Sequence, residues 1–320
     1  MFKLDLKDKK ILYELDSNSK QSCSQIAKKV GLSTEVVNYR IKRLEENKII
    51  TKYQLIVNLS KLDILQFKIC LSLQHLDSKK LSEIIKNLKE NKAVKWIVSC
   101  KGNWDLILSL EIDSIEKIDT LKDEVITLFE GHINNKAISI LIEAVTYNRD
   151  YLIENKNELN KSRIIMKKDK PLELENIDLQ ILKILSENAR TPIIEIAKGL
   201  NTTPRIIDYR IKQLQKNEII LGYKIAINYE ELGILFYKTF IELDKYKKER
   251  VKSLIQYFKG NKNIIHHVKV LGNWDLEPEF EVYSEKEFND DITEIKDKFS
   301  DIIKSINIIT ILKEHKFTYF

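Results

Sequence analysis

The chain has little of what marks several large classes of protein. Of its 320 residues only 8 are Gly and 4 are Pro, so long regular elements meet few interruptions. No apolar run approaches the roughly 18 residues needed to span a bilayer. The opening Met1-Phe2-Lys3-Leu4-Asp5 turns polar at once, unlike a secretion signal. Three cysteines, Cys23, Cys70 and Cys100, are odd in number and far apart, without metal-ligand spacing. They read as reduced thiols of a cytoplasmic protein. There is no His-Glu-x-x-His, no paired cysteine motif and no phosphate-binding glycine loop. Only His266 and His267 cluster among five histidines, and adjacent strand residues point to opposite faces. The expectation is a non-enzyme with no catalytic residue, no metal and no cofactor.

What is present is a globular composition, 43% hydrophobic, long enough for two to four domains. The net charge of +6 is mild but uneven. Residues 1–60 hold 12 Lys/Arg against 7 Asp/Glu, or +5, whereas residues 171–230 hold 8 against 8, or zero. A basic surplus in one small region is the electrostatic footprint for a polyanion, and it also fits a merely solvated lysine-rich surface.

The strongest pattern is an internal repeat. Asp8, Ile11 and Leu12 return as Asp178, Ile181 and Leu182; Tyr39-Arg40-Ile41-Lys42 returns as Tyr209-Arg210-Ile211-Lys212. Gly102-Asn103-Trp104-Asp105-Leu106 returns as Gly272-Asn273-Trp274-Asp275-Leu276. Every offset is 170 (178 − 8 = 275 − 105), too long for a solenoid, so a whole unit is duplicated. Each unit reads as two domains: 1–60 and 61–147, then a solvated Lys/Asn/Glu-rich linker at 148–172, then 173–230 and 231–320.

Residues 1–60 predict three helices and a strand. Ile11, Leu12 and Leu15 make one helical face over 7–16, and Ile26, Ala27 and Val30 make a second. Gly31 stops that helix and Ser33 caps the next, whose inner stripe is Val37, Ile41 and Leu44. A strand over 49–58 follows. In the second copy Thr203 is the cap and Pro204 the first helical residue. Helix, tight turn and capped helix form the helix-turn-helix pattern. The outward positions of the third helix are then the candidate contacts to double-stranded DNA. They are Ser33, Thr34, Glu35, Asn38, Tyr39, Lys42 and Arg43, with Thr203, Arg205, Asp208, Tyr209 and Lys212 in the second head. Short polar residues near the helix start can reach base edges, and Lys42, Arg43 and Lys212 would lie near phosphates. Arg40 and Arg210 fit structural ion pairs inside each head. The same faces would also suit a bundle making only protein contacts.

Residues 61–147 alternate differently. Strands at 66–73, 94–100, 106–112 and 138–145 and helices at 78–91 and 114–129, the latter capped by Ser114, give the order βαββαβ of a ferredoxin-like sheet. The fold class is thus α+β, as two tandem units. The helix-free face of each sheet needs cover, which the other copy can supply as an intrachain pseudo-dimer, with homo-oligomers beyond it. One segment departs from this pattern. Leu276-Glu277-Pro278-Glu279-Phe280-Glu281 puts a Pro in a central strand and three Glu on one face. That implies a bulge, a distorted pocket or an acidic surface.

Asp8, Ile11-Leu12, the run Ile26-Ala27-Lys28-Lys29-Val30-Gly31-Leu32-Ser33, Arg40-Ile41, Leu44-Glu45, Ile49-Ile50 and the Gly-x-Trp-Asp-Leu motif together resemble the leucine-responsive regulator (Lrp/AsnC) family. The resemblance implies a transcription regulator that senses an amino acid or similar small effector. Effector binding would fall on Gly102, Asn103, Trp104 and Asp105 and on Gly272, Asn273, Trp274 and Asp275. The motif also fits a tight turn whose Trp plugs an interface. A Gly usual before the paired aliphatics is Lys48 here and Glu218 in the second copy, so Asn47 or Asn217 would have to stop the helix. Relatives include siroheme decarboxylases, which makes a tetrapyrrole enzyme the alternative, and an architectural DNA-binding protein the third reading.

Overall fold

The computed structural model describes residues 2–153, 162–167, 169–245 and 247–318. In chain order the first unit is α1 (Leu6–Ser17), α2 (Cys23–Val30), α3 (Thr34–Glu46), β1 (Ile50–Val57), β2 (Leu65–Leu73), α4 (Ser78–Glu90), β3 (Val94–Lys101), β4 (Leu106–Ile112), α5 (Lys117–Thr127) and β5 (Ile133–Thr146). A short strand, β6 (Arg163–Met166), precedes the second unit. This runs α6 (Asn176–Glu187), α7 (Ile193–Gly199), α8 (Pro204–Lys216), β7 (Ile220–Ile227), β8 (Leu235–Leu243), α9 (Lys248–Gly260), β9 (Ile264–Leu271), β10 (Leu276–Val282), α10 (Glu285–Phe299) and β11 (Ile303–Phe317). The architecture is α+β in two tandem units.

Local signals set the heads. Asp5 caps α1 by accepting from the Asp8 amide at 2.7 Å, and Ser22 with Gln25 forms a capping box on α2. Gly31 closes α2 at φ 66°, where a side chain is disfavoured. Ser33 and Thr203 cap α3 and α8 as the sequence implies, with Pro204 in the first turn. Asn47 and Asn217 cap the other ends, and the left-handed residues that follow are Lys48 (φ 55°) and Glu218 (φ 57°). A Cβ is strained in that conformation. Lys48→Gly and Glu218→Gly should therefore each stabilise the protein by up to about 1 kcal/mol. Thermal unfolding measures it, and a lowered midpoint would show that the side chain itself holds the turn.

The two heads are joined through their strands. β1 and β7 pair antiparallel in a ribbon, and each packs on the head of the other unit. Leu55 and Val57 of β1 sit in the core of α6–α8, while Ile225 and Ile227 of β7 join the core that contains α1–α3. The exchange is reciprocal in the backbone: Ser19 N–H donates to Tyr223 C=O at 3.1 Å and Ala189 N–H to Tyr53 C=O at 3.0 Å.

The remaining strands make two ferredoxin-like sheets, ordered β5-β2-β4-β3 and β11-β8-β10-β9. These do more than cover one another. β3 pairs with β11 and β9 with β5, so the eight strands close into an antiparallel barrel. Closure removes the free edges that an open sheet leaves. Alternation assigns the two faces. Phe67, Ile69 and Leu71 of β2 face outward to Ile84, Ile85 and Leu88 of α4, whereas Lys68 and Cys70 face inward. Likewise Leu276, Phe280 and Val282 of β10 pack on α10, and Glu277, Glu279 and Glu281 turn inside.

Three expectations need correction, and the one of a bulge at Pro278 is met. Strand β5 exceeds the eight residues expected for 138–145, because it spans both sheets, as its counterpart β11 also does. The α5 helix starts at Lys117, not Ser114, whose carbonyl instead accepts from the Lys117 amide in a preceding turn. Pro278 stays inside β10; the β10–β8 ladder skips from Leu276–Ile241 to Glu279–Lys238, and the Thr239 hydroxyl donates to the Pro278 carbonyl at 3.4 Å. The register with β9 slips between Glu279 and Phe280, a bulge. Finally, the expected linker over 148–172 is partly core: Tyr151, Leu152, Ile165 and Met166 are buried, and β6 pairs antiparallel with the end of β5. Its residues 154–161 and 168 lie outside the described residues.

Candidate nucleic-acid interface and an interior cavity

The third-helix residues fall into three groups. Ser33 and Thr203 use their hydroxyls as caps, accepting from the amides of Val36 and Ile206. Thr34, Glu35, Asn38, Tyr39 and Lys42 are exposed on α3, and Arg205, Tyr209 and Lys212 on α8. Tyr39 and Tyr209 are 66% and 58% exposed, high for aromatic residues. Its own backbone amide and the Ser33 hydroxyl hold the Glu35 carboxyl below its ordinary range. Lys212 pairs with Asp208 one turn back at 2.7 Å, while Lys42 has no ion pair among the described residues. Arg43 departs from the expectation of a phosphate contact. Its guanidinium bonds the buried Asp8 carboxylate at 2.6 Å and lies over the Phe2 ring. Arg40 holds the same Asp8 and Asp5, both at 2.7 Å, and Arg210 holds Glu175 and Asp178, as the sequence implies.

The two Gly-Asn-Trp-Asp loops are brought together across the units. Trp104 and Trp274 pack with ring centroids 6.3 Å apart and are nearly buried. The Asp105 carboxylate accepts from the Leu73 amide at 2.7 Å, and Asp275 from the Leu243 amide at 2.8 Å. Each Asp thus stitches its loop to the neighbouring strand. Gly272 lies so close to β5 that a Cβ would come within 2.9 Å of the Ser139 side chain. Gly102 has φ 138°, and a Cβ there would sit 3.0 Å from the Ile308 carbonyl oxygen on β11. Asn103 reaches Asn307 at 3.3 Å. Close approach of loop to strand is what requires Gly at both places.

A cavity of about 110 Å³ opens between the β1–β7 ribbon and the barrel interior. The acidic strand anticipated as a bulge, a pocket or a surface forms one wall of it. Lys68 and Lys238, equivalent residues of the two copies, both bind Glu277, and Lys238 also donates to Glu279 at 2.8 Å. Burial alone would raise the Glu277 carboxyl, but these two cations hold it down at about 2. Arg149 bridges Glu281 (2.8 Å) to Asp16 of α1 (2.7 Å) and reaches the Ile225 carbonyl of β7. Lys224 of β7 is buried beside Asp16 and lowered by that burial to about 8. Across the cavity Glu314 is raised by burial to about 7, with Glu279 and Glu281 adding like charge and the Trp96 indole donating to it at 2.9 Å.

His266 and His267 separate as their adjacency dictates. His266 lines the cavity, and burial lowers it to about 4, so it is neutral. His267 faces the outer core, stacked on Tyr147, whose hydroxyl lies 2.8 Å from Nδ1. Sequence reasoning missed Arg149, Lys224 and Glu314, none of which lies in a recognisable motif. The one available signal was the acidic alternation of β10, which demands buried cations from elsewhere.

The profile of the winged helix-turn-helix DNA-binding family matches residues 4–51 and 174–220, one match on each head. An uncharacterized HTH-type transcriptional regulator of Pyrococcus horikoshii is 31% identical over 116 residues, covering 36% of this chain and 77% of that one. The HTH-type transcriptional regulator LrpA of the same organism is 48% identical over 56 residues, 18% of this chain and 40% of that protein. Regulatory protein AsnC of Haemophilus influenzae is 35% identical over 60 residues, 19% of this chain and 40% of its own length. Among solved structures the siroheme decarboxylase NirDL superposes with a TM-score of 0.59, covering 98% of this chain and 93% of that one. Its 15% identity speaks for a shared tandem fold alone. The repeated heads, the exchanged strands and these relatives agree: the chain belongs to the Lrp/AsnC family of helix-turn-helix regulators, as a tandem duplicate in one polypeptide.

Proposed function

We propose that the chain is a transcription regulator that binds double-stranded DNA through both heads, at a site made of two unlike half-sites. The observation that carries this reading is the pair of exposed α3 and α8 faces, held in one body by the β1–β7 ribbon. Asn38 on α3 and Arg205 on α8 are the direct readers, since their side chains make bidentate pairs with adenine and guanine. Lys42 contacts a phosphate. Lys42→Ala should weaken binding to every sequence and lower the salt slope by about 1. Asn38→Ala should instead change which sequences are preferred. Selection of bound genomic fragments, followed by anisotropy at several salt concentrations, tests both. No duplex binding at low salt would remove the reading, and a uniform loss in the Asn38 variant would remove the direct contact.

An amino acid or similar small effector belongs to this reading, at the exposed Gly-Asn backbone of the two loops that meet through Trp104 and Trp274. Loss of a ligand response in Asp105→Ala or Asp275→Ala supports that placement. Association into homo-oligomers is part of the same reading and is measured by light scattering. The enzymatic alternative meets an electrostatic objection: the cations that line the cavity, Lys68, Lys95, Arg149 and Lys224, are already paired with Glu277, Glu111, Glu281 and Asp16, so the carboxylates of a tetrapyrrole would have to compete with the protein's own. A coloured protein with Soret absorption would favour the enzyme. A long footprint with a shallow sequence preference would favour an architectural role.

A further inference from the structure

The cavity under the ribbon contains polar groups that the protein itself leaves without partners. Gln54 is 6% exposed and Ser109 is 5% exposed, both line the cavity, and neither side chain has a hydrogen bond among the described residues. His266 Nε2 is buried without a partner. Glu314 accepts only the Trp96 indole, on Oε2. Glu279 is bonded only to Lys238, through Oε1. Of these atoms only His266 Nε2 is fully closed off; the others face the cavity, where water or an occupant that supplies donors completes them. Water can supply some of them, but the rest of the wall is selective. Trp96, Tyr229, Phe236 and Phe317 line the same space as Glu279 and Glu314. The Trp96 ring already has the Lys68 and Lys238 ammoniums over it, 5.6 and 5.5 Å from its centroid. Aromatic rings and carboxylates that share one space attract an organic cation through both the ring quadrupole and direct charge.

Charge pairing points the same way. Lys68, Lys238 and Arg149 are engaged with Glu277, Glu279 and Glu281, Arg149 and Lys224 with Asp16, and Lys95, which also lines the cavity, with Glu111. Glu314 has no ion-pair partner among the described residues, while Glu279 and Glu281 face it.

We propose that this cavity is a binding site for a small organic cation carrying a primary ammonium or guanidinium group, held by Glu314 and Glu279 beside the Tyr229 and Phe236 rings. The ammonium donates to the two carboxylates and to the neutral His266 ring, and Gln54 and Ser109 meet the polar remainder. The site is separate from the Gly-Asn-Trp-Asp loops, and its occupancy requires no DNA.

The test is isothermal titration of the full chain, without DNA, against putrescine, lysine, arginine and agmatine, with succinate and glutamate as anionic counterparts. At least one of the four cations should bind with a dissociation constant below about 1 mM and one site per chain, and succinate should not bind. Glu314→Gln should weaken that binding at least tenfold. Ser109→Leu, which fills the cavity beside Trp96, its cross-strand neighbour, should abolish it while leaving the unfolding midpoint near that of the parent. Failure of all four cations to bind, preference for succinate, or an unchanged affinity in both variants would each overturn the proposal. Because DNA is absent, none of these outcomes bears on whether the heads bind a duplex.

Discussion

Replacing Arg149 by Ala is expected to destabilise the protein by about 3–5 kcal/mol, the cost of stranding buried charges by removing one partner. The guanidinium makes two bonds to Glu281, one to Asp16 and one to the Ile225 carbonyl, and its own backbone amide donates to Asp16 at 2.9 Å. Asp16 and Glu281 are buried, so without Arg149 both carboxylates would lose their nearest cation. Lys224 stands 3.4 Å from Asp16 and compensates only one of them. The residue joins α1 of the first head, β7 of the second head's ribbon strand and β10 of the barrel. The variant should therefore loosen the head from the barrel as well as lower the denaturant midpoint. Combining Arg149→Met with Asp16→Asn and Glu281→Gln should recover much of the loss, since uncharged replacements of a buried ionic cluster are often tolerated. A single-variant cost below 1 kcal/mol would show that the cluster carries little.

The second large effect is on pH. Glu277 is held near 2, below its ordinary 4.5, so it contributes stability that is fully present above about 4.5 and is lost as pH falls towards 2. Glu314 has the opposite sign. Raised from 4.5 to about 7, it contributes stability that is full below 4.5 and is lost as pH rises through 7. Each shift is worth on the order of 3 kcal/mol at full extent. The expected curve of stability against pH rises from pH 2 to about 4.5 and then loses the Glu314 contribution up to neutrality. Glu314→Gln should flatten that second limb and leave the acid limb in place. An acid limb unchanged in Glu277→Gln would show that other carboxylates control it.

Much of this structure was legible in the sequence because the informative signals are local. Capping residues, the Gly31 stop and the spacing of Ile11, Leu12, Val37 and Ile41 need only a few neighbours to take effect. The 170-residue offset disclosed the duplication without any structural knowledge. The structural roles of Arg40 and Arg210 were also readable, from their acidic counterparts in the same head. Long-range pairing was not. Nothing near β1 says that its partner is β7, and nothing in β5 says that its far end belongs to the other sheet. The segment after Tyr147 looked like linker because lysine, asparagine and glutamate dominate its composition, yet Arg149 in it is a hub of the interior. Arg43 looked like a phosphate contact because helical spacing cannot reveal that Asp8 lies against it. The interior cavity combines side chains from both units, so no window of sequence contains it.

In a dimer of identical chains, every inward residue meets its own image across the axis, and three glutamates would become six. Here Glu277, Glu279 and Glu281 stand opposite a copy that reads Ile107, Ser109 and Glu111 at the same positions. Trp96 corresponds to His266, and Glu314 to Ala144. Covalent duplication has released each half from self-compatibility, and one chamber has acquired a left and a right side. An occupant without twofold symmetry has a single orientation there and a stoichiometry of one per chain, and heritable changes can tune one wall without altering the other.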